Sequence, residues 1–126
     1  MRAAEVAVVG ALVHRFRELV PLLQEHLDTY AELLPHVFMG DFTRWIVDRL
    51  RHAGASDPTL RHILDFVEAT FKEGGEHEQE LIAVSFLENL PRPSEEGADF
   101  LELIGPALQQ ELIRLRMSGS GSADTL

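Results

Sequence analysis

The chain has no cysteine, a single lysine (Lys72), one tryptophan and one tyrosine. The lack of cysteine excludes a disulfide framework, a thiolate metal site and a cysteine nucleophile. Positive charge is scarce as well: 11 Lys plus Arg stand against 21 Asp plus Glu, a formal net charge of −10. A polyphosphate backbone repels such a chain, so neither nucleic acid nor an anionic membrane face is expected as a partner. Even the densest basic run, Arg44, Arg49, Arg51 and Arg61, is diluted by Asp48 and Asp57. Acidity of this kind favours solubility and fast encounter with a basic partner. Long apolar runs are missing too. The stretch from Val6 to Val13 is preceded by Glu5 and followed directly by His14 to Arg17. It falls far short of the roughly 20 apolar residues of a membrane span and lacks a small-residue cleavage site, so a cytoplasmic location is expected.

What is present is an ordinary globular composition, 45% hydrophobic and 25% charged over 126 residues. Enough apolar surface exists for one core, and disorder is excluded. The hydrophobic period is helical nearly throughout. Val6, Val9, Val13, Phe16 and Val20 form a narrow seam, open to core packing or to a dimer contact. Pro21 disfavours helix at Val20 and suits the first turn of a following helix, whose short apolar face is Leu22, Leu23 and Leu27. Pro35 starts a helix running to about Ala53, with the stripe Phe38, Phe42, Trp45, Ile46 and Leu50 and with Gly54 as its C-cap. Ser56-Asp57-Pro58 is a helix start, and the stripe Leu60, Ile63, Leu64, Val67 and Phe71 follows as far as Gly74-Gly75. Residues 81–87 are apolar nearly all round and read as a central buried helix, with a buried strand as the alternative. Pro91-Arg92-Pro93 ends that segment, and Ser94 to Gly97 opens the last region. There Phe100, Leu101, Ile104, Leu108, Leu112 and Leu115 form a stripe that Gly105-Pro106 should break. The alternating Ser and Gly from Ser118 have linker composition. The expected architecture is all-α: one compact bundle of about five to six helices over residues 1–117, with short antiparallel connections, and a disordered, flexible tail over 118–126.

No pattern of established chemistry fits. None of the six histidines has an acidic residue three positions earlier, which a diiron carboxylate bundle would require. His77-Glu78 lacks the second histidine of a zinc-protease helix. The best metal-ligating set is Glu76, His77 and Glu80, within the acidic segment Glu73, Glu76, Glu78 and Glu80; a solvated acidic helix start explains the same residues. His62 and Asp65, one turn apart, could act as a base and its orienter, yet no nucleophile elbow accompanies them. Gly74-Gly75 lacks the further residues of a phosphate loop and reads as a turn. No cofactor and no catalytic residue are expected, and the enzyme question leans to no. On the aromatic helix, Phe38 and Phe42 should face inward while Arg44 and Asp48, at i,i+4, face out.

The segments Leu33-Leu34-Pro35-His36-Val37-Phe38-Met39-Gly40-Asp41-Phe42-Thr43-Arg44-Trp45 and Ser85-Phe86-Leu87-Glu88-Asn89-Leu90 resemble small all-helical bacterial proteins of the polymorphic-toxin immunity type, over roughly residues 15 to 115. That resemblance implies an intracellular protein that binds and blocks a cognate toxin and performs no reaction of its own. Combined with the residues, it makes this chain a protein-binding module with a basic protein as partner, contacted through Glu73, Glu76, Glu78 and Glu80 and through the face near Arg44 and Asp48. The alternatives are a metal-dependent hydrolase built on the His77 cluster and a regulatory or structural dimer built on the Val6–Val20 seam.

Overall fold

Prolines and glycines set most of the helix boundaries. The computed structural model describes residues 3–91 and 100–124, and among them every regular element is helical. In chain order these are α1 (Ala3–Arg15), a 3-10 turn η1 (Arg17–Leu19), α2 (Val20–Tyr30), α3 (Pro35–Ala53), α4 (Pro58–Glu73), α5 (Glu76–Ser85), a 3-10 turn η2 (Leu87–Asn89), the single turn α6 (Phe100–Leu103) and α7 (Pro106–Asp124). Three helices open on proline, whose missing N–H costs nothing at the first helical position. Gly54 closes α3 at φ 83°, a left-handed value that a side chain would resist. At the end of α2 Ala31 also has a positive φ (62°), in the left-handed helical region, and its N–H donates to Leu27 O at 2.8 Å.

The chain is a helical bundle with one continuous core, to which every helix contributes apolar side chains. α5 lies at its centre, packed against α1, α3 and α4 and followed directly by η2. This settles residues 81–87 as helix and 3-10 turn. Leu81, Ile82, Ala83, Ser85, Phe86 and Leu87 are all buried, and only Val84 reaches solvent. Phe42 on α3 meets Phe86 with ring centroids 5.6 Å apart, and Phe16 meets Phe66 edge-on at 5.7 Å. Such pairs contribute about 0.5–1.5 kcal/mol beyond the area they bury.

Four expectations shift. In α1 the buried face is Glu5, Val8, Val9, Leu12 and Val13, while Val6 is 40% exposed. The face is therefore wider than the Val6–Val20 seam, and Val9, Val13 and Phe16 are spent in this chain's own core. Val20 is helical despite preceding Pro21, because η1 delivers the chain into α2 already in helical geometry. On α2, Leu27 is exposed and His26 is the buried residue. Trp45 is half-buried at the core's edge, its place in the interior taken by Met39 and Thr43.

The helix start expected at 94–97 lies outside the described residues. The break at Gly105-Pro106 is real, and it is built by a distant residue. The carboxylate of Glu68 on α4 accepts the N–H groups of Ala107 and Leu108 at 2.9 and 3.0 Å, capping α7 across 39 and 40 positions of sequence. The Ser-Gly alternation from Ser118 to Ser122 falls on the last turns of α7, and of the tail expected over 118–126 residues 125 and 126 lie outside the described residues.

The turn between α3 and α4 is fixed by Asp57. Its Oδ1 accepts the Thr59 N–H at 3.0 Å as an N-cap, and its Oδ2 accepts from Arg49 Nε at 2.5 Å. The Arg49 hydrogen bond holds the Asp57 carboxyl below its ordinary value and outweighs the opposing effect of desolvation. A lowered folded-state pKa contributes stability above the unfolded value, near 4, and that contribution disappears as pH falls through the lower folded value. Asp57→Asn should therefore melt below the wild type at pH 7. The two melting curves should converge as pH drops below about 4; a constant gap at all pH values would contradict the assignment.

Candidate functional site

The two segments that carry the resemblance meet in space. Along α3, the stripe that buries Phe38, Met39, Phe42 and Thr43 places Asp41, Arg44, Trp45 and Asp48 on the adjoining flank. From the other side come Glu88, Asn89 and Leu90 of the η2 turn and Pro91 after it, and α2 adds Leu22 and Glu25. Together they bound an open groove of about 830 Å³, with Val47 and Arg51 also in its wall.

A polar joint beneath the groove holds its two walls in register. The buried Thr43 hydroxyl lies 2.7 Å from Met39 O and 3.2 Å from Ser85 O, sharing one proton between them. Ser85 O also accepts from Asn89 Nδ2 at 2.8 Å, and Ser85 Oγ is 2.5 Å from His36 Nδ1. Arg116 on α7 donates to Pro91 O at 2.8 Å and so fastens the chain just past η2. Buried groups satisfied in this way specify one packing, since leaving any of them unpaired costs more than the bond returns.

Within the groove, Arg44 pairs with Asp41 one turn back rather than with Asp48, and both Arg44 and Asp48 face solvent as expected. Asp48 instead approaches His52 Nδ1 at 3.9 Å. Trp45 is held from one side by the Arg49 guanidinium, 5.4 Å from the ring centroid, and Arg49 is in turn anchored on Asp57. Its other contacts leave it at the groove wall. The described lining carries the carboxylates of Glu25, Asp41, Asp48 and Glu88 against the guanidiniums of Arg44 and Arg51, so acidity prevails there as it does over the whole chain.

The other predicted residues do not join this site. Glu73, Glu76 and Glu80 are set around the α4–α5 turn, and none of them lines the groove. Glu78 serves the fold: its carboxylate accepts the Gly75 N–H at 3.0 Å and caps α5. His77 is exposed, and the structure does not gather Glu76, His77 and Glu80 into a ligand set; no group of three or more such side chains among the described residues is placed to hold a metal. His62 and Asp65 are both exposed on α4.

Sequence reasoning does not reach three polar residues. Glu5 and His26 are buried, and Glu68 caps α7. His26 Nε2 accepts the Leu34 N–H at 3.0 Å, which ties α2 to the entry of α3, and its ring lies edge-on to Phe38. The spacing Leu19, Leu23, His26 on one helix face is the available signal. Among the described residues, no helix is long and apolar enough to cross a membrane. No curated protein and no solved structure matches the chain. A family model matches residues 9–119, which include every groove residue named above, and the chain thus belongs to the family described as a domain of unknown function, DUF7674.

Proposed function

We propose that this chain is a small cytoplasmic protein-binding module of the immunity type, which docks a cognate toxin in the groove between α3 and η2 and acts by occlusion. The observation that carries the reading is the groove itself: a braced tryptophan at the edge of an open, mixed polar and apolar cleft, ringed by exposed charges. Tryptophan and arginine dominate interface energetics when a partner buries them, and Trp45 and Arg44 stand side by side here. The groove's excess of carboxylates and the net charge of −10 suit a basic partner, steering its approach before the apolar contacts form. This reading takes the Arg44–Asp48 face as the contact surface; the Glu73–Glu80 segment does not line the groove.

Affinity capture from native lysate at low and moderate salt, read by mass spectrometry, tests the proposal. One dominant protein should survive moderate salt. Trp45→Ala should weaken its capture by about thirtyfold, the equivalent of a 2 kcal/mol hot spot, in a variant whose helical circular dichroism is retained. Asp48→Lys should slow association at low salt and matter less at moderate salt. An empty bait at both salts, or undiminished capture by Trp45→Ala, would overturn the reading.

A further inference from the structure

α2 is tied to the start of α3 by an imidazole that cannot take up a proton and keep the tie. His26 is 2% exposed, and its Nε2 accepts the Leu34 N–H at 3.0 Å. A backbone N–H only donates, so Nε2 carries the lone pair and the neutral ring holds its proton on Nδ1. That Nδ1 is buried and has no hydrogen-bond partner among the described residues. Tyr30 and Phe38 lie against the ring, with centroids 4.9 and 5.8 Å away. A proton on Nε2 would set two donors against each other and place a charge among these groups. The connection that follows is also strained: Ala31, at φ 62°, occupies the left-handed region without being glycine.

We propose that His26 is a proton-operated latch between α2 and α3, closed while the imidazole is neutral and released when it is protonated. Leu22 and Glu25 of the α3–η2 groove ride on α2, so release loosens one wall of that groove. The latch belongs to the chain alone and does not depend on what the groove holds. An imidazole in an unfolded chain takes up its proton near pH 6.5. The tie is complete above that pH and is lost below it, because the open form binds one proton more than the closed form. The elements packed on α2 are α3, η1 and α1. On α2 itself a tyrosine such as Tyr30 is neutral throughout this range, and Glu25 and Asp28 are exposed. Arg17 and Glu18 on η1, His14 and Arg15 on α1 and Glu32 in the connection are exposed as well, and Asp41 on α3 is paired with Arg44. Glu5 on α1 is buried and borders Leu34, with an unpaired Oε1. A buried carboxylate loses its charge on protonation, so acid acts on Glu5 in the opposite sense. His36, exposed on the first turn of α3 with its Nδ1 2.5 Å from Ser85 Oγ, is the group a variant must separate from His26.

The test is amide hydrogen exchange of the full chain, read as the protection factor of Leu34 at about one pH unit above and below 6.5. The ring nitrogen resonances of His26 are recorded at the upper pH, where they should report the Nδ1–H tautomer. Protection of Leu34 should fall with acidification and approach about tenfold per pH unit, the limit for one coupled proton. Ile82, in the middle of α5, should lose less than about threefold, since the opening is local. His26→Gln keeps an acceptor near the position of Nε2 and does not titrate, so Leu34 protection there should be the same at both pH values. An Nε2–H ring at the upper pH, pH-independent protection of Leu34, an equal fall at Ile82, or a fall that persists in His26→Gln would overturn the proposal. The ring resonances and the comparison of Leu34 with Ile82 need no variant, so they decide even if His26→Gln alters folding.

Discussion

Phe86→Ala should destabilise the chain by about 3–5 kcal/mol, the range for removing a buried phenylalanine that its neighbours cannot collapse upon. Phe86 is fully buried at the C-terminal end of α5, the helix that touches α1, α3 and α4. Its ring packs against Phe42 at 5.6 Å, and Phe42 is itself fully buried. The void would therefore open between two helices whose backbones are pinned by the Thr43–Ser85 contact, and relaxation should be small. For a domain whose whole stability is about 5–15 kcal/mol, such a loss takes most of the margin. The effect should reach function as well, since Phe86 immediately precedes the η2 wall of the groove. Urea denaturation checks the magnitude: the midpoint should fall while the slope is unchanged. A loss below about 1 kcal/mol would mean that the α3–α5 contact is not the centre of the core.

Gly105→Ala should cost about 2–3 kcal/mol in the native chain and almost nothing once Glu68 has been replaced by alanine. A Cβ at position 105 would lie 2.6 Å from Glu68 Oε1 and closer still to the carboxyl carbon. The Glu68 side chain is flexible enough to move aside, but moving it surrenders both N–H bonds by which it caps α7. Hydrogen bonds to a charged group are each worth roughly 1.5–3 kcal/mol, and partial replacement by water brings the expected loss to the stated range. Glu68→Ala alone should cost a similar amount. In that background Gly105→Ala meets no obstacle, and the reduced freedom of the unfolded chain should make it neutral or mildly stabilising, by about 0.4–1 kcal/mol. The double-mutant cycle thus predicts strong coupling between two positions 37 apart in sequence. Additive losses would show that the glycine is needed for its own backbone and not for the cap.

These residues also mark how far the sequence can be read. Elements whose cause is local are legible: Pro35 and Pro58 open helices, Gly54 closes one, and Asp57 caps its neighbour, all from signals within a few positions. The apolar stripes of α3, α4 and α7 are legible for the same reason, since a period of 3.6 shows in the chain itself. What stays hidden depends on partners far away in sequence. Glu68 looks like any surface glutamate on α4, and nothing near it announces α7. His26 is spaced like a leucine but chemically disguised as a surface residue, and the Leu34 N–H that its Nε2 accepts lies eight positions on. Trp45 has the spacing of a core residue on α3. The structure gives the interior to Thr43, whose hydroxyl is satisfied by Met39 O and Ser85 O, and moves Trp45 to the rim. For the candidate site, Arg44 and Asp48 follow from their outward spacing on α3. The opposite wall at 88–91 does not, because only the fold brings it alongside.

The central claim, that a protein partner is held between α3 and η2, is tested most directly by hydrogen exchange on the chain alone and in complex with its captured partner. Slowed exchange should concentrate in residues 41–51 and 88–91, with the amides around the α4–α5 turn, residues 73–80, unchanged. Protection confined to residues 73–80, or none along α3, would contradict it.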